Sequence, residues 1–318
     1  MIQYRPFHNT DPPRLLQLWH SCALGPAAAE GFSSDILELF SFSQPFFDRN
    51  GIIVAVFEGR VVGMVHAGFA ATQDESRLDK NRGNICALMV HPEFRRQGIA
   101  TELIRRACDY LKESGSKSVE GGGGLDRTGF YVGIYGGLQP SGFSESAAPW
   151  EPVFAKSGFE FSTRTVVMHR DLFAIRDPVN SRLIRNRRNL NMMITDRPSG
   201  QSWWWFVRFG HLDSLRFELQ EKASGGIVAS GQIIGMDVFI PKWGVRSVGI
   251  RDVYVPESQR RHGYGLALIL EISRRLRDES VQLIEAHVDS ENQAALDLFG
   301  AAKFEPAEHL VTYRKSLV

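Results

Sequence analysis

The chain has 318 residues, 43% hydrophobic and 23% charged, with a formal net charge of +1. That length suits two domains with separate cores, and the near-neutral charge argues against a dedicated nucleic-acid or membrane-surface protein. Apolar runs such as ICALMV at 85–90 fall far short of a bilayer span.

The N-terminal stretch MIQYRPFHNTDPP lacks the apolar core of a secretory leader. Cys22, Cys86 and Cys108 lack metal-site spacing and cannot all pair. Reduced thiols in a cytoplasmic protein without metal are the expectation.

In chain order, a short strand over 2–7 leads through an Asn-Asp-Pro turn into helical patterns over 15–22 and 35–40. GIIVAVFEG (51–59) and RVVGMVHAGFA (60–70) read as a hairpin turning at Glu58-Gly59. A polar loop over 72–84 precedes ICALMV, which is apolar on both faces and so expected as a central strand. After FRRQGIA (94–100) a helix is expected to about Lys112, burying Ile99, Leu103, Ile104, Ala107 and Leu111. Residues 115–158 form a long Gly- and Ser-rich insertion, of the kind that is either functional or mobile, and RTVVMHR (164–170) closes the first half as a strand. The basic stretch 171–189 reads as a partly helical connector with a solvated face.

The second half repeats this order in shortened form. Strands are expected at 191–196, 214–221, 225–239, 248–255, 281–288 and 309–317, with helices after QRRHGYG (259–265) and at 292–302. Two α/β units in matching order indicate an internal duplication. The expected domains are 1–175 and 191–318, joined by 176–190.

Arg95-Arg96-Gln97-Gly98-Ile99-Ala100 and Arg260-Arg261-His262-Gly263-Tyr264-Gly265 each follow an apolar strand and open a helix. Backbone N–H groups at a helix start lack intrahelical acceptors and point outward at the positive end of the dipole. Small residues there let an anion reach the backbone, which makes a pyrophosphate cradle. The pattern is neither a Walker loop nor the dinucleotide fingerprint. One such motif is a weak signal, but two in the same strand–motif–helix context are a strong one.

Both motifs resemble the signature of the GNAT acyltransferases, Arg/Gln-x-x-Gly-x-Gly/Ala, and both have similar lead-ins, VHPEF (90–94) and VPESQ (255–259). NQAALDLFGAAKF (292–304) is also close to the family's Asn-x-x-Ala helix. The resemblance covers most of the chain and implies an α/β (α+β) class, with two tandem GNAT folds, each a mixed, mainly antiparallel twisted sheet with flanking helices. It further implies acetyl-CoA as donor, bound between splayed fourth and fifth strands, and direct attack by an amine in a ternary complex. On this resemblance the cofactor-binding residues are Leu88, Met89, Val90 and Arg95 to Ala100 in the first half, with Val253, Tyr254, Val255, Arg260 to Gly265 and Asn292 in the second. The family's general-acid tyrosine falls on Phe154 and Phe299, neither of which has a hydroxyl.

Asp252 is the carboxylate expected to act as base. It lies in an apolar strand, where an ionised group is costly unless paired or functional, and Arg251 is expected on the opposite face. The first half has Ala87 at that position, so chemistry is expected in the C-terminal half. Tyr131, Tyr135, the run Trp203–Trp205, His287, Cys86 and Cys108 are expected mainly as packing residues. The expected function is acetylation of a small-molecule amine by a monomer or weak homodimer, with no nucleic-acid or membrane partner. A non-catalytic acyl-CoA-binding sensor and a protein N-acetyltransferase are the alternatives.

Overall fold

The computed structural model describes residues 1–125, 127–196 and 200–318. These divide into two compact units. The first comprises Met1–Thr165, Ser202–Arg208 and Glu308–Val318, and the second Val166–Gln201 and Phe209–Ala307. The linear division at 175 and 191 therefore does not coincide with the compact units, and residues 176–190 lie within the second.

In the first unit the sheet begins with β1 (Gln3–Pro6) on β2 (Ile52–Phe57), then β3 (Arg60–Ala71), β4 (Leu78–Val90) and β5 (Ser118–Gly121). The β2–β3 turn places Glu58 at φ +49° and Gly59 at φ +79°, both left-handed, as a two-residue hairpin turn requires. β4 starts within the stretch expected as a polar loop, because β3 runs on to Ala71 and pairs it with Leu78.

Helix α1 (Pro12–Ser21) and the short α2 (Ser34–Leu37), extended by a π-turn over Glu38–Phe42, lie between β1 and β2 in sequence. Helix α3 (Ile99–Glu113) follows β4 and buries Ile99, Leu103, Ile104, Ala107 and Leu111, as the spacing predicts. After β5 come β6 (Phe143–Ser144), α4 (Trp150–Lys156) and β7 (Glu160–Asp171), the last passing from the first unit to the second at Thr165.

The second unit holds α5 (Ser181–Asn189), β8 (Leu190–Asp196), β9 (Ser214–Glu221), β10 (Ile227–Gly235), α7 (Ile240–Trp243), β11 (Ser247–Tyr254), α8 (Tyr264–Asp278), β12 (Leu283–Asp289) and α9 (Gln293–Ala301). Its sheet runs β8-β9-β10-β11-β12, with the second part of β7 beside β12. Only the β11–β12 pair among these numbered neighbours is parallel. The core packs Leu268, Ile269 and Ile272 of α8 against Ile250, Ile284 and Ala286.

Two segments of the second half complete the first unit. The end of β13 (Glu305–Ser316) pairs antiparallel with β5, matching Tyr313 with Gly121 and Ser316 with Ser118. Helix α6 (Trp203–Phe209) contributes residues 203–208.

The glycine-rich insertion is packed rather than open, with residues 128–144 all buried. Phe130 lies 4.8 Å from Phe46 and 4.2 Å from His66, between ring centroids. Trp204 meets Phe46 at 5.4 Å, and Arg208 Nε donates to the Thr128 carbonyl at 3.0 Å. A Cβ on Gly136 would fall 2.3 Å from the Gln139 carbonyl, and Gly136 has φ +75°, so close backbone approach fixes glycine there. Trp204 and Trp205 are buried as core residues, in line with the expectation for the tryptophan run.

Candidate functional site

The repeat holds at the level of strand register. In the first unit the β4–β5 pairing runs Arg82 with Ser118 through Ile85 with Gly121. In the second, β11–β12 runs Ser247 with Leu283 through Ile250 with Ala286. Every one of these positions is displaced by 165, and in both units the parallel pairing stops at the same place. β4 continues to Val90 and β11 to Tyr254, so each strand presents backbone groups beyond its last parallel partner. Leu88–Val90 lie there, as do Val253 and Tyr254, with Val255 just past the end of β11.

The two motifs also match in conformation. Arg96 and Arg261 are left-handed at φ +61° and +68°, and Gly98 and Gly263 at φ +80° and +79°. Each glycine is the N-cap of the following helix, α3 or α8. Left-handed residues flanking Gln97 and His262 turn backbone N–H groups into one concavity at the positive end of the helix dipole. In α3 that concavity is continued by the first-turn N–H groups of Ile99 and Ala100, which have no intrahelical acceptor.

The first arginine of each motif shapes the loop. Arg95 donates from Nε to the Val90 carbonyl at 3.1 Å and from a terminal nitrogen to the Cys22 carbonyl at 2.7 Å. Arg260 Nε donates to the Val255 carbonyl at 3.3 Å. Both tie the motif back to its strand. His262 shares a contact with the Gln259 carbonyl through Nδ1 at 3.2 Å.

The units differ in how open the motif is. The first faces a cavity of about 770 Å³, lined by Leu88–Val90, Phe94–Arg96, Gly98–Thr101, Cys22–Leu24 and, from the α4 side, Ala147–Trp150, Pro152, Val153 and Lys156. That volume lies within the range of small-molecule and cofactor sites. A Cβ on Gly98 would meet nothing within 4 Å. In the second unit α5 covers the motif. A Cβ on Gly263 would lie 2.9 Å from Arg182 Cδ, and Asn186 Nδ2 donates to the His262 carbonyl at 3.2 Å. Arg182 and Asn186 were hidden in a stretch that reads as a solvated connector. Their only sequence signal is the basic run 182–188.

Asp252 differs from its expected setting in two respects. The β10–β11 register shifts between Ser230 and Gln232, and Asp252 has φ +51°, so a bulge interrupts the strand. Alternation breaks there, and Arg251 is a partner rather than an opposite-face neighbour. Its Nε donates to Asp252 Oδ2 at 3.0 Å, and the Asp252 side chain is 54% exposed. The Arg251 guanidinium also lies over the Phe209 ring at 4.2 Å.

On β12, opposite Gly249 of β11, Glu285 is buried and bonded by two imidazoles, His169 Nε2 at 2.8 Å and His287 Nε2 at 3.1 Å. Burial opposes ionisation of Glu285, but the two histidine contacts outweigh it and bring its pKa down to about 2. Glu120 occupies the position 165 residues earlier, buried in β5 and bonded by Arg127.

Asn292 caps α9, its side chain accepting from the Ala295 N–H at 3.1 Å. Phe154 is fully buried, its ring stacked on Tyr313 at 4.8 Å and 7°, and Phe299 is buried against Phe304. Tyr131 is also buried, its hydroxyl 2.9 Å from His66 Nδ1. Cys86 and Cys108 are buried thiols, and desolvation raises both above the ordinary range.

Family comparison agrees with this geometry. The model of the Acetyltransferase (GNAT) family matches residues 13–122 and again 194–304. The chain belongs to the GNAT family. An uncharacterized N-acetyltransferase of Archaeoglobus fulgidus is 35% identical over 74 residues, covering 23% of this chain and 48% of that protein. The acetyltransferase plu1384 of Photorhabdus laumondii is 31% identical over 105 residues, covering 33% of this chain and 63% of that protein. The chain thus spans about half to under two thirds of the length of these curated relatives. Among solved structures, a tandem GNAT protein from the clavulanic acid biosynthesis pathway superposes with TM-score 0.67 at 14% identity, covering 99% of this chain and 98% of that one. A GCN5-related N-acetyltransferase from Sphaerobacter thermophilus gives 0.65 at 15% identity, covering 99% and 95%. These likenesses establish two GNAT folds in tandem, each mixed, mainly antiparallel and flanked by helices. No helix among the described residues is long and apolar enough to cross a membrane.

Proposed function

We propose that the protein is an acetyl-CoA-dependent N-acetyltransferase acting on an amine of a small molecule. The observation that carries this reading is the open first motif: a loop with left-handed Arg96 and Gly98 at a helix start, facing a cavity of about 770 Å³ beside the stretch of β4 that runs past its last β5 partner. The N–H groups of the motif and first helical turn suit a pyrophosphate, and the exposed edge at Leu88–Val90 suits an amide-bearing arm. Acetyl-CoA supplies an activated thioester whose carbonyl an amine attacks directly.

The finer part of the proposal divides labour between the units. Among the described residues lining the first cavity, the ionisable side chains are Cys22, Arg95, Arg96 and Lys156, with neither carboxylate nor histidine. Burial holds the Cys22 thiol protonated, its pKa near 11. That cleft suits an acetyl-CoA-sized ligand but offers no base. The second unit carries Asp252 and the His169–Glu285–His287 group around the end of its paired strands, and we assign proton removal from the acceptor to this half, with Asp252 as the base. Its motif is covered by a flexible arginine, and rotation of Arg182 both frees Gly263 and leaves a guanidinium near the phosphates.

The openness of the first cavity favours a second reading, in which the first unit performs the transfer. Calorimetric titration with acetyl-CoA, alongside turnover, of Gly98→Val and Gly263→Val separates the two. The proposal expects Gly98→Val to lose the tighter binding event and keep turnover, and Gly263→Val to do the reverse. Loss of turnover in Gly98→Val alone transfers the chemistry to the first unit, and unchanged binding in both variants removes the cofactor assignment.

A further inference from the structure

Helix α5 is basic, and the one residue it buries is polar: Asn186, 7% exposed. Asparagine is a poor residue for a helix interior, and a buried amide is costly unless it is bonded. Asn186 uses its donor on the second motif, Nδ2 donating to the His262 carbonyl at 3.2 Å. One turn earlier on the same helix face, Arg182 Nη1 donates to the Arg261 carbonyl at 3.3 Å. The helix is itself held at its start. The Asn180 side chain accepts from the Leu183 N–H at 2.9 Å, and Asp177 accepts from Arg277 at 2.6 Å and from Arg170.

The two bonded carbonyls belong to consecutive peptide units, Arg261–His262 and His262–Gly263. A trans peptide directs its C=O and N–H to opposite sides, and none of the described peptide bonds is cis. Holding both carbonyls towards α5 therefore turns the N–H groups of His262 and Gly263 away from it. Among the described residues neither N–H has a hydrogen-bond partner, so both remain free for an anion at the positive end of α8. The first motif has the same left-handed residues without this clamp. Gly98 has open space where Gly263 has Arg182. Among the described residues no side chain bonds the carbonyl of Arg96 or Gln97, and the Gln97 amide donates instead to the Glu93 carbonyl at 3.3 Å.

We infer that Asn186 and Arg182 are positioning residues for the acetyl-CoA pyrophosphate at the second motif, acting through the backbone of the loop. The inference rests on that motif being a cofactor seat. Without the clamp the two peptide units are free to rotate and to present a carbonyl where a phosphate needs a donor. With it, the N–H groups are oriented before the anion arrives, and binding no longer has to order them. Asn186 is neutral, so its contribution is separable from attraction between charges.

The test is calorimetric titration of the full chain with acetyl-CoA in a Gly98→Val background, which leaves the second motif as the seat. Asn186→Leu keeps the side-chain volume and removes the donor, whereas Asn186→Gln keeps an amide. Arg182→Met, at an exposed residue, keeps a stem against Gly263 and removes the guanidinium. We expect Asn186→Leu and Arg182→Met each to weaken binding about tenfold, equivalent to about 1.4 kcal/mol, and Asn186→Gln to recover most of that loss. A packing role predicts the reverse order, with Asn186→Leu tolerated and Asn186→Gln not, and that order overturns the inference. Tighter binding in Asn186→Leu or Arg182→Met overturns it too, because α5 would then be a barrier to the cofactor. Absence of acetyl-CoA binding in Gly98→Val alone removes the second motif as a seat, and the inference with it. Binding there that neither Asn186→Leu nor Arg182→Met changes overturns the clamp and leaves the seat standing.

Discussion

Replacing Gly98 with alanine separates the cofactor seat from the fold. Gly98 sits at φ +80°, where an L-residue costs about 1–2 kcal/mol. The new methyl meets nothing within 4 Å, so this backbone cost is all the folded protein should feel. For a domain of this size it lowers the melting temperature by roughly 2–8 °C, at roughly 2–4 °C per kcal/mol. The open space is also where an anion would approach the N–H groups, and a methyl there should weaken acetyl-CoA at least tenfold, about 1.4 kcal/mol. Gly263→Ala carries the same backbone cost, but its methyl lies 2.9 Å from Arg182 Cδ and must displace that side chain. Calorimetry and thermal unfolding of both variants read the two effects independently. A Gly98→Ala protein destabilised as expected, yet titrating acetyl-CoA like the parent, would refute the assignment of the first motif.

Other outcomes follow from single residues. Asp252→Asn should slow turnover by about 10²–10⁴-fold with little change in acetyl-CoA affinity, and a rate within twofold of the parent would leave Asp252 as the ion-pair partner of Arg251. Burial pushes the His66 pKa from 6.5 down to about 3. The folded state thus resists a proton that the unfolded chain accepts, so the His66 contribution is complete above pH 6.5 and is lost as pH falls towards 3. Between pH 6.5 and 5 this amounts to about 2 kcal/mol at 1.36 kcal/mol per unit. Urea titrations should show that loss in the parent and a flatter profile in His66→Gln, and equal slopes would refute it.

The duplication was legible because it rests on local chemistry. The motifs at 95–100 and 260–265, and the apolar strands before them, recur at a spacing of 165 that the strand register reproduces. Other features depend on long-range partners. The run HLVTYRKSL reads correctly as a strand, but alternation does not say which sheet receives it, and residues 308–318 complete the first unit. Likewise WWWFV announces burial without announcing against what. The bulge at Asp252 was invisible because a left-handed aspartate inside an apolar strand leaves the hydrophobic pattern intact while reversing the neighbour relation with Arg251. Which residues cover Gly263 had no signal for a related reason: α5 is strongly basic, and basic helices usually face solvent.

The central claim is acetyl transfer to a small amine, and thiol release tests it most directly. The full chain is incubated with acetyl-CoA and a panel of small amines and amino acids, and free thiol is followed continuously. The account predicts steady, multiple-turnover release that depends on one class of acceptor and disappears in Gly263→Val. Tight acetyl-CoA binding with no acceptor-dependent release from any member of the panel would contradict it and leave the chain as an acyl-CoA-binding protein.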